Sequence, residues 1–401
     1  MTLLDVAALR SAFPSLASGI AHFDNPGGTQ TPAVVGEAIA RTLTGPLSQR
    51  GAALVSQRNA EDAVSGFRSA IADLLGGVPE GVVHGRSATA LTYDFSRALA
   101  TTWSAGDEVV LCELDHDANV RPWIQVAERI GVTVRWLRLD AATAELDLSD
   151  LDEVINERTR LVALTAASNL LGTRPPVARI ARRAHDVGAL VYVDGVHHAA
   201  HAAPDLAAMG TDFMVCSPYK FFGPHCAALV ADPALLETLR PDKLLPSSDA
   251  VPERFELGTL PYELLSGVTA AIDFIAGLAP GAGSRREQLV AAYALIRQHE
   301  LRLRARVEEG LAGLGDRVAL HSRAADRTST LFLTFRDHPA PAAYEFLAQR
   351  DVLVPAGTFY ALQTFQALGL SVDSGLRIGL AAYNDDAEVD RLLEGLSEFV
   401  G

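Results

Sequence analysis

Short apolar runs rich in β-formers alternate with helical faces over most of the 401 residues, and this alternation leaves few architectures open. Leu91, Phe95 and Leu99 recur at i, i+4 and i+8, which predicts a helix over about Ala88 to Thr101. Ser104 to Asp107 breaks it, and Glu108 to Cys112 reads as a buried strand. A helical face around Trp123, Val126 and Ile130 follows, then a strand over Val132 to Leu137. Leu161 to Thr165, Leu190 to Val193 and Phe213 to Cys216 read as further strands, with a helix over Val177 to His185 between the first two. Strands separated by helices predict an α/β fold, a mostly parallel sheet with helices on both faces.

The pattern changes after about Pro261. Ser284-Arg-Arg-Glu287 is a capping-box pattern that opens a long helix, with Leu289, Tyr293 and Ile296 as its apolar stripe. Thr330 to Phe335 reads as a strand and Glu388 to Phe399 as a terminal helix. A boundary near Glu256 to Tyr262 is expected. It separates a large domain (21–260) from a smaller α+β domain (261–401), with an N-terminal segment (1–20) packing on the small one.

Charge and composition exclude several roles. The net charge is -15 and no cluster of Lys and Arg offers a nucleic-acid footprint. Apolar runs such as Ala189 to Val193 are far too short to span a bilayer, so no membrane role is expected. Met1 to Ser18 has no apolar signal-peptide core. With only three cysteines, Cys112, Cys216 and Cys226, no disulfide framework is expected and a reducing cytoplasm is.

In an α/β sheet, chemistry gathers beyond the carboxyl ends of the strands. Two such ends carry a matched pair: Leu190 to Val193 runs into Asp194, and Phe213 to Cys216 runs into Ser217-Pro-Tyr-Lys220. An acid and a lysine so placed suit pyridoxal phosphate (PLP). The lysine holds the cofactor as an imine, and the carboxylate keeps the pyridine nitrogen protonated so that the ring accepts electrons. Burial also lowers a lysine pKa, which favours imine formation. Ser217 suits a phosphate contact, and Gly223 suits a backbone turning away from the site. Ser217-x-x-Lys220 also matches the S-x-x-K of penicillin-binding enzymes, but the partner motifs are missing and Gly223-Pro224 would interrupt the required helix.

The longer stretches Val191-Tyr-Val-Asp-Gly-Val-His197 and Thr211-Asp-Phe-Met-Val-Cys-Ser-Pro-Tyr-Lys-Phe-Phe-Gly-Pro224 resemble class V aminotransferases. Within PLP fold type I they look like the cysteine-desulfurase-like branch. The resemblance runs from His22-Phe-Asp-Asn-Pro-Gly-Gly28 to Leu376-Arg-Ile-Gly-Leu380, nearly full length and in the same order. It implies a seven-stranded type of sheet and PLP as cofactor. Lys220 then falls on the Schiff-base lysine and Asp194 on the pyridine-nitrogen partner. His116 falls on the histidine that stacks over the ring and takes part in proton transfers.

By the same resemblance, Asn169 falls near the cofactor phenolic oxygen and the substrate. His197 stands where relatives carry a Gln or His touching that oxygen. Ala88 and Thr89 stand where relatives place adjacent threonines, at a helix start suited to phosphate, although Ala88 offers only its backbone. Ser217 and Tyr219 complete the phosphate cup. Arg254-Phe-Glu-Leu-Gly-Thr259 matches a segment that reaches the phosphate of the neighbouring subunit, which implies a homodimer completed by Thr259. Arg377 falls on the arginine that grips the substrate carboxylate through two hydrogen bonds.

One part of the pattern breaks. Desulfurases of this branch carry a nucleophilic cysteine on a loop shortly before the carboxylate arginine. The matching stretch is Val354-Pro-Ala-Gly-Thr-Phe-Tyr-Ala361, with Tyr360 near the expected cysteine and Pro355 in place of a loop arginine. No cysteine follows Cys226. Cys112 and Cys216 lie in apolar strand runs and Cys226 just before another, where thiols are inert.

The expected function is therefore a lyase that cleaves a β-substituent from a small amino acid, through an external aldimine, without a persulfide cysteine. Lys220 would remove the Cα proton, and His116 or Tyr360 would protonate the leaving group. An aminotransferase or epimerase stays open, since both start from the same species. A non-catalytic binding protein on this fold stays open too, against the joint presence of Lys220, Asp194, His116 and Arg377. His197 and His201 have the spacing of a helix-borne zinc pair. They follow a strand and lack a third ligand, so no metal is expected; His198 and His201 read as structural or surface residues.

Overall fold

The computed structural model describes residues 3–281, 283–370 and 375–401. Seven strands form the central sheet: β1 (Val82–Gly85), β2 (Glu108–Cys112), β3 (Thr133–Leu137), β4 (Thr159–Thr165), β5 (Leu190–Asp194), β6 (Phe213–Cys216) and β7 (Ala227–Ala231). Their spatial order is β1-β7-β6-β5-β4-β2-β3. All neighbours are parallel except at β7, which runs antiparallel to both β1 and β6. The mostly parallel sheet expected from the strand–helix alternation is thus present. The strand expected after Cys226 is β7, and its antiparallel direction is what the alternation did not show.

The strands read as continuous apolar runs because both faces are covered. Successive residues of a strand point to opposite faces. Val110, Cys112, Val162, Leu164, Val191 and Val193 accordingly join one apolar cluster. Val109, Leu111, Leu161, Ala163 and Tyr192 join the other. The helix Ala88–Ala100 lays Leu91, Phe95 and Leu99 on this second cluster. The helix Arg121–Ile130 stops at Gly131, whose φ of 84° fits a left-handed cap that few other residues adopt without strain.

The predicted capping box is formed: Ser284 accepts from the Glu287 N–H at the start of the helix Arg285–Gly313. Leu289, Tyr293 and Ile296 of that helix pack into the cluster that includes Val191. Leu303, Val307 and Leu311 pack into a third cluster around Leu331, Leu376 and Ile378. One helix therefore ties two cores together. The third cluster backs an antiparallel sheet of β8 (Val318–Leu320), β9 (Thr330–Phe335) and β10 (Leu376–Gly379). Near the N-terminus, Arg10 pairs with Glu388 at 3.0 Å and Asp385 at 3.3 Å.

The backbone turns sharply after β6, at Phe222 and Gly223. Phe222, not Gly223, adopts the left-handed conformation, with φ of 70°. Gly223 is needed for another reason: a Cβ there would lie 2.7 Å from the Pro218 Cβ.

Candidate active site

The carboxyl ends of β4, β5 and β6 open onto a cavity of about 290 Å³. Every site residue expected from the sequence except Thr259 lines it. Thr259 is exposed elsewhere, where its hydroxyl accepts from Gln49 Nε2 at 3.3 Å. Asp194 closes β5 and is buried. Its Oδ1 accepts from the Val196 N–H at 2.9 Å, and Oδ2 has no partner among the described residues. Burial pushes this carboxyl up to about 6, against the pull of the Val196 bond and of Lys220.

Lys220 ends the turn Pro218–Lys220 and is buried. Its Nζ donates to the Pro26 carbonyl and lies 4.6 Å from the Tyr219 ring centroid. Burial, then the nearby Arg377 cation, pulls the amine down to about 7. At the opposite wall the helix Ala88–Ala100 begins, capped by Ser87 Oγ, which accepts from the Ala90 N–H at 3.1 Å. The N–H groups of the helix's first residues, Ala88 and Thr89, have no helical carbonyl to meet, so this end of the cavity favours an anion.

His116 covers the cavity from β2's side. Its Nδ1 accepts from the Ala118 N–H at 3.0 Å, so the neutral ring carries its proton on Nε2. Burial and the Lys220 and Arg377 charges lower its pKa to about 4. The Tyr360 ring lies against it, tilted by 32° with 5.1 Å between centroids, and 70% of Tyr360 is exposed at the cavity mouth. Phe359 and Tyr360 both have positive φ, 52° and 56°. Such backbone costs about 1–3 kcal/mol per residue and persists only where neighbours hold it. Here Asn169 Nδ2 donates to the Phe359 carbonyl at 2.9 Å, and the Asp117 N–H donates to the Tyr360 carbonyl at 2.7 Å.

Arg377 lies on β10 and is buried. Nη2 donates to Asp24 Oδ1 at 2.7 Å, Nη1 to the Asn169 carbonyl at 3.2 Å, and Cζ sits 4.0 Å from the Phe359 ring centroid. His197 follows β5 and contacts Thr328 and Thr330 through Nε2. Asp24, Phe359 and the two threonines were not expected from the sequence. Asp24 had a signal, being the acid of the His22–Gly28 motif; the threonines had none.

The set fits PLP. Among the described residues, two buried nitrogens at the cavity lack partners: His197 Nδ1 and Arg377 Nε. Asp194 presents Oδ2 without a partner among the described residues, and the helix start presents N–H groups outside the helical ladder. A cationic ring nitrogen, a ring oxygen, a phosphate and a substrate carboxylate would answer these groups.

Known proteins bear on the same conclusion. The model of the class-V aminotransferase family matches residues 21–392. An uncharacterised protein of Mycobacterium tuberculosis is 31% identical over 98% of each chain. A cysteine desulfurase of Dickeya dadantii is 32% identical over 74% of this chain and 71% of its own. The crystal structure of the Escherichia coli cysteine desulfurase CsdA matches with a TM-score of 0.87 at 24% identity, covering 99% of this chain and 98% of that one. Fold and site define a PLP-dependent enzyme of fold type I. The chain belongs to the class-V aminotransferase family, and its cofactor is PLP.

The lowered amine of Lys220 sets a pH dependence. Only the neutral amine attacks an aldehyde, and its fraction rises as pH rises through about 7. The rate of PLP uptake by apoprotein, followed by stopped-flow absorbance, should climb through that pH and level off above it. A rate still climbing near the ordinary lysine value would show that Lys220 is not held as described.

Proposed function

We propose that this chain is a lyase that removes a β-substituent from a small amino acid without using a cysteine thiol. One observation carries the reading: no cysteine lines the cavity, while an amine, a guanidinium and a phenol do. Cys112, Cys216 and Cys226 are buried, and burial pushes each thiol up. A thiol so placed is not the thiolate that attacks sulfur.

When bound, PLP supplies an electron sink for negative charge developing at the substrate Cα. Lys220 would bond the cofactor, and its amine would serve as the base for the Cα proton. Asp194, desolvated and short of a partner, holds a proton on the pyridine nitrogen. Arg377 grips the substrate carboxylate, with Asp24 and Asn169 fixing its plane. His116 would cover the cofactor ring and offers Nε2–H. Tyr360, against His116 at the cavity mouth, gives its phenolic proton to the leaving group as the Cβ bond breaks. Ser217, Tyr219, Thr89 and the backbone at Ala88 hold the phosphate. Thr259 completes the site of a second copy in a homodimer, in the cytoplasm.

A cysteine-free variant tests this reading. With Cys112, Cys216 and Cys226 all changed to Ala, the enzyme should keep its turnover against a panel of β-substituted amino acids. Mass spectrometry should show an oxo acid, ammonia and the released substituent. The substitutions should cost about 1 kcal/mol of stability per site. Loss of turnover in a folded variant would restore a thiol mechanism. An oxo acid with pyridoxamine phosphate, or deuterium gained at Cα with no net product, would replace the lyase by a transaminase or an epimerase.

A further inference from the structure

His197 is held from behind by two hydroxyls. Its Nε2 lies 3.1 Å from Thr328 Oγ1 and 3.1 Å from Thr330 Oγ1. All three side chains are buried. Thr330 opens β9 and Thr328 lies two residues before it across a bend at Ser329, and both hydroxyls reach the same ring nitrogen. Ser329 between them turns instead to Glu300 Oε2, at 2.9 Å.

Each hydroxyl has one hydrogen to place, and neither oxygen has another side-chain or backbone partner among the described residues. If Nε2 carried the imidazole proton, it would donate to these oxygens and leave both hydroxyl hydrogens without an acceptor on the ring. If Nε2 carries the lone pair, it accepts from a hydroxyl, and the neutral ring holds its proton on Nδ1. Nδ1 is the nitrogen that lacks a partner among the described residues, on a ring that borders the cavity.

We propose that Thr328 and Thr330 are positioning residues that fix neutral His197 as its Nδ1–H tautomer, making it a permanent hydrogen-bond donor to the ring oxygen of bound PLP. The proposal rests on the placement of PLP given above. The ring is kept neutral by its surroundings: burial first, then the charges of His201, Arg377, Lys220 and His198. His201 stands edge-on at 4.7 Å and is itself tied through Nδ1 to Glu300 Oε2 at 2.7 Å. A fixed donor differs from a titrating histidine, because it stabilises the deprotonated phenolic oxygen at every working pH.

The test is a pH titration of the absorbance of the holoenzyme and of the double variant Thr328→Val with Thr330→Val. Losing the donor should raise the midpoint of the cofactor's titration by about half to one pH unit. The double variant Thr328→Ser with Thr330→Ser, which keeps both hydroxyls, should titrate like the unaltered enzyme. An unmoved midpoint in a valine variant that binds PLP fully would overturn the proposal. Histidine ¹⁵N spectra of the unaltered protein provide a second measurement that needs neither variant nor cofactor. For His197 they should show a protonated Nδ1 and an unprotonated Nε2, and the reverse would sink the idea. Absence of any cofactor absorbance would count against the PLP reading itself, leaving the nitrogen spectrum to decide the tautomer.

Discussion

Lys220→Ala should abolish the visible absorbance that PLP acquires on a lysine and lower turnover by about 10²- to 10⁴-fold. The protein should stay folded. The amine is buried and its pKa is pulled down to about 7, so the fold gains nothing from its charge. The sign follows from proton counting. Between about pH 7 and the ordinary lysine value, the unfolded chain holds a proton that the folded chain has given up. This one group therefore weakens the apoprotein progressively as pH falls through that window, and the burden is complete below it. Apo Lys220→Ala should gain stability relative to the unaltered apoprotein on the acid side of neutrality, read as a higher midpoint of denaturation. A variant with an unchanged spectrum and unchanged turnover would remove Lys220 from the chemistry.

Arg377→Leu should lower kcat/KM by about 10²- to 10³-fold, chiefly through KM. The substrate carboxylate is present before and during reaction, so the lost pair weakens both states, with a smaller fall in kcat from looser orientation. Asp24 and the Asn169 carbonyl already hold the guanidinium plane, and Phe359 covers one face. Arg377→Lys keeps a charge but not the fork, and should recover only part of the loss. Steady-state kinetics with an amino acid and with its decarboxylated amine separate the cases. The amine should be a poor substrate for the unaltered enzyme and should suffer little further from the substitution. An equal loss for both compounds would place the carboxylate grip elsewhere.

Much of the sheet was legible because buried parallel strands announce themselves as apolar runs, as at Leu161 to Thr165 and Leu190 to Val193. The strand after Cys226 was expected too, whereas Val82–Gly85 was not read, being four residues that end in a histidine and a glycine. Lys220 and Asp194 stood out because they follow strands directly, where local order alone predicts a shared edge. Arg377 and its partner Asp24 are 353 positions apart, and Thr328 and Thr330 meet His197 across 131 and 133 positions. Those pairings depend on how β9 and β10 dock beside the large sheet, which no local pattern encodes. The left-handed Phe222 had no signal in the sequence, and the close approach of Gly223 to Pro218 is a packing constraint that local order does not show.

The most direct test of the account is to reduce the purified holoenzyme with borohydride, digest it, and locate the trapped cofactor by mass spectrometry. The account predicts a single phosphopyridoxyl group on the peptide that carries Lys220. A group on another lysine, or none on a protein saturated with PLP, would contradict it.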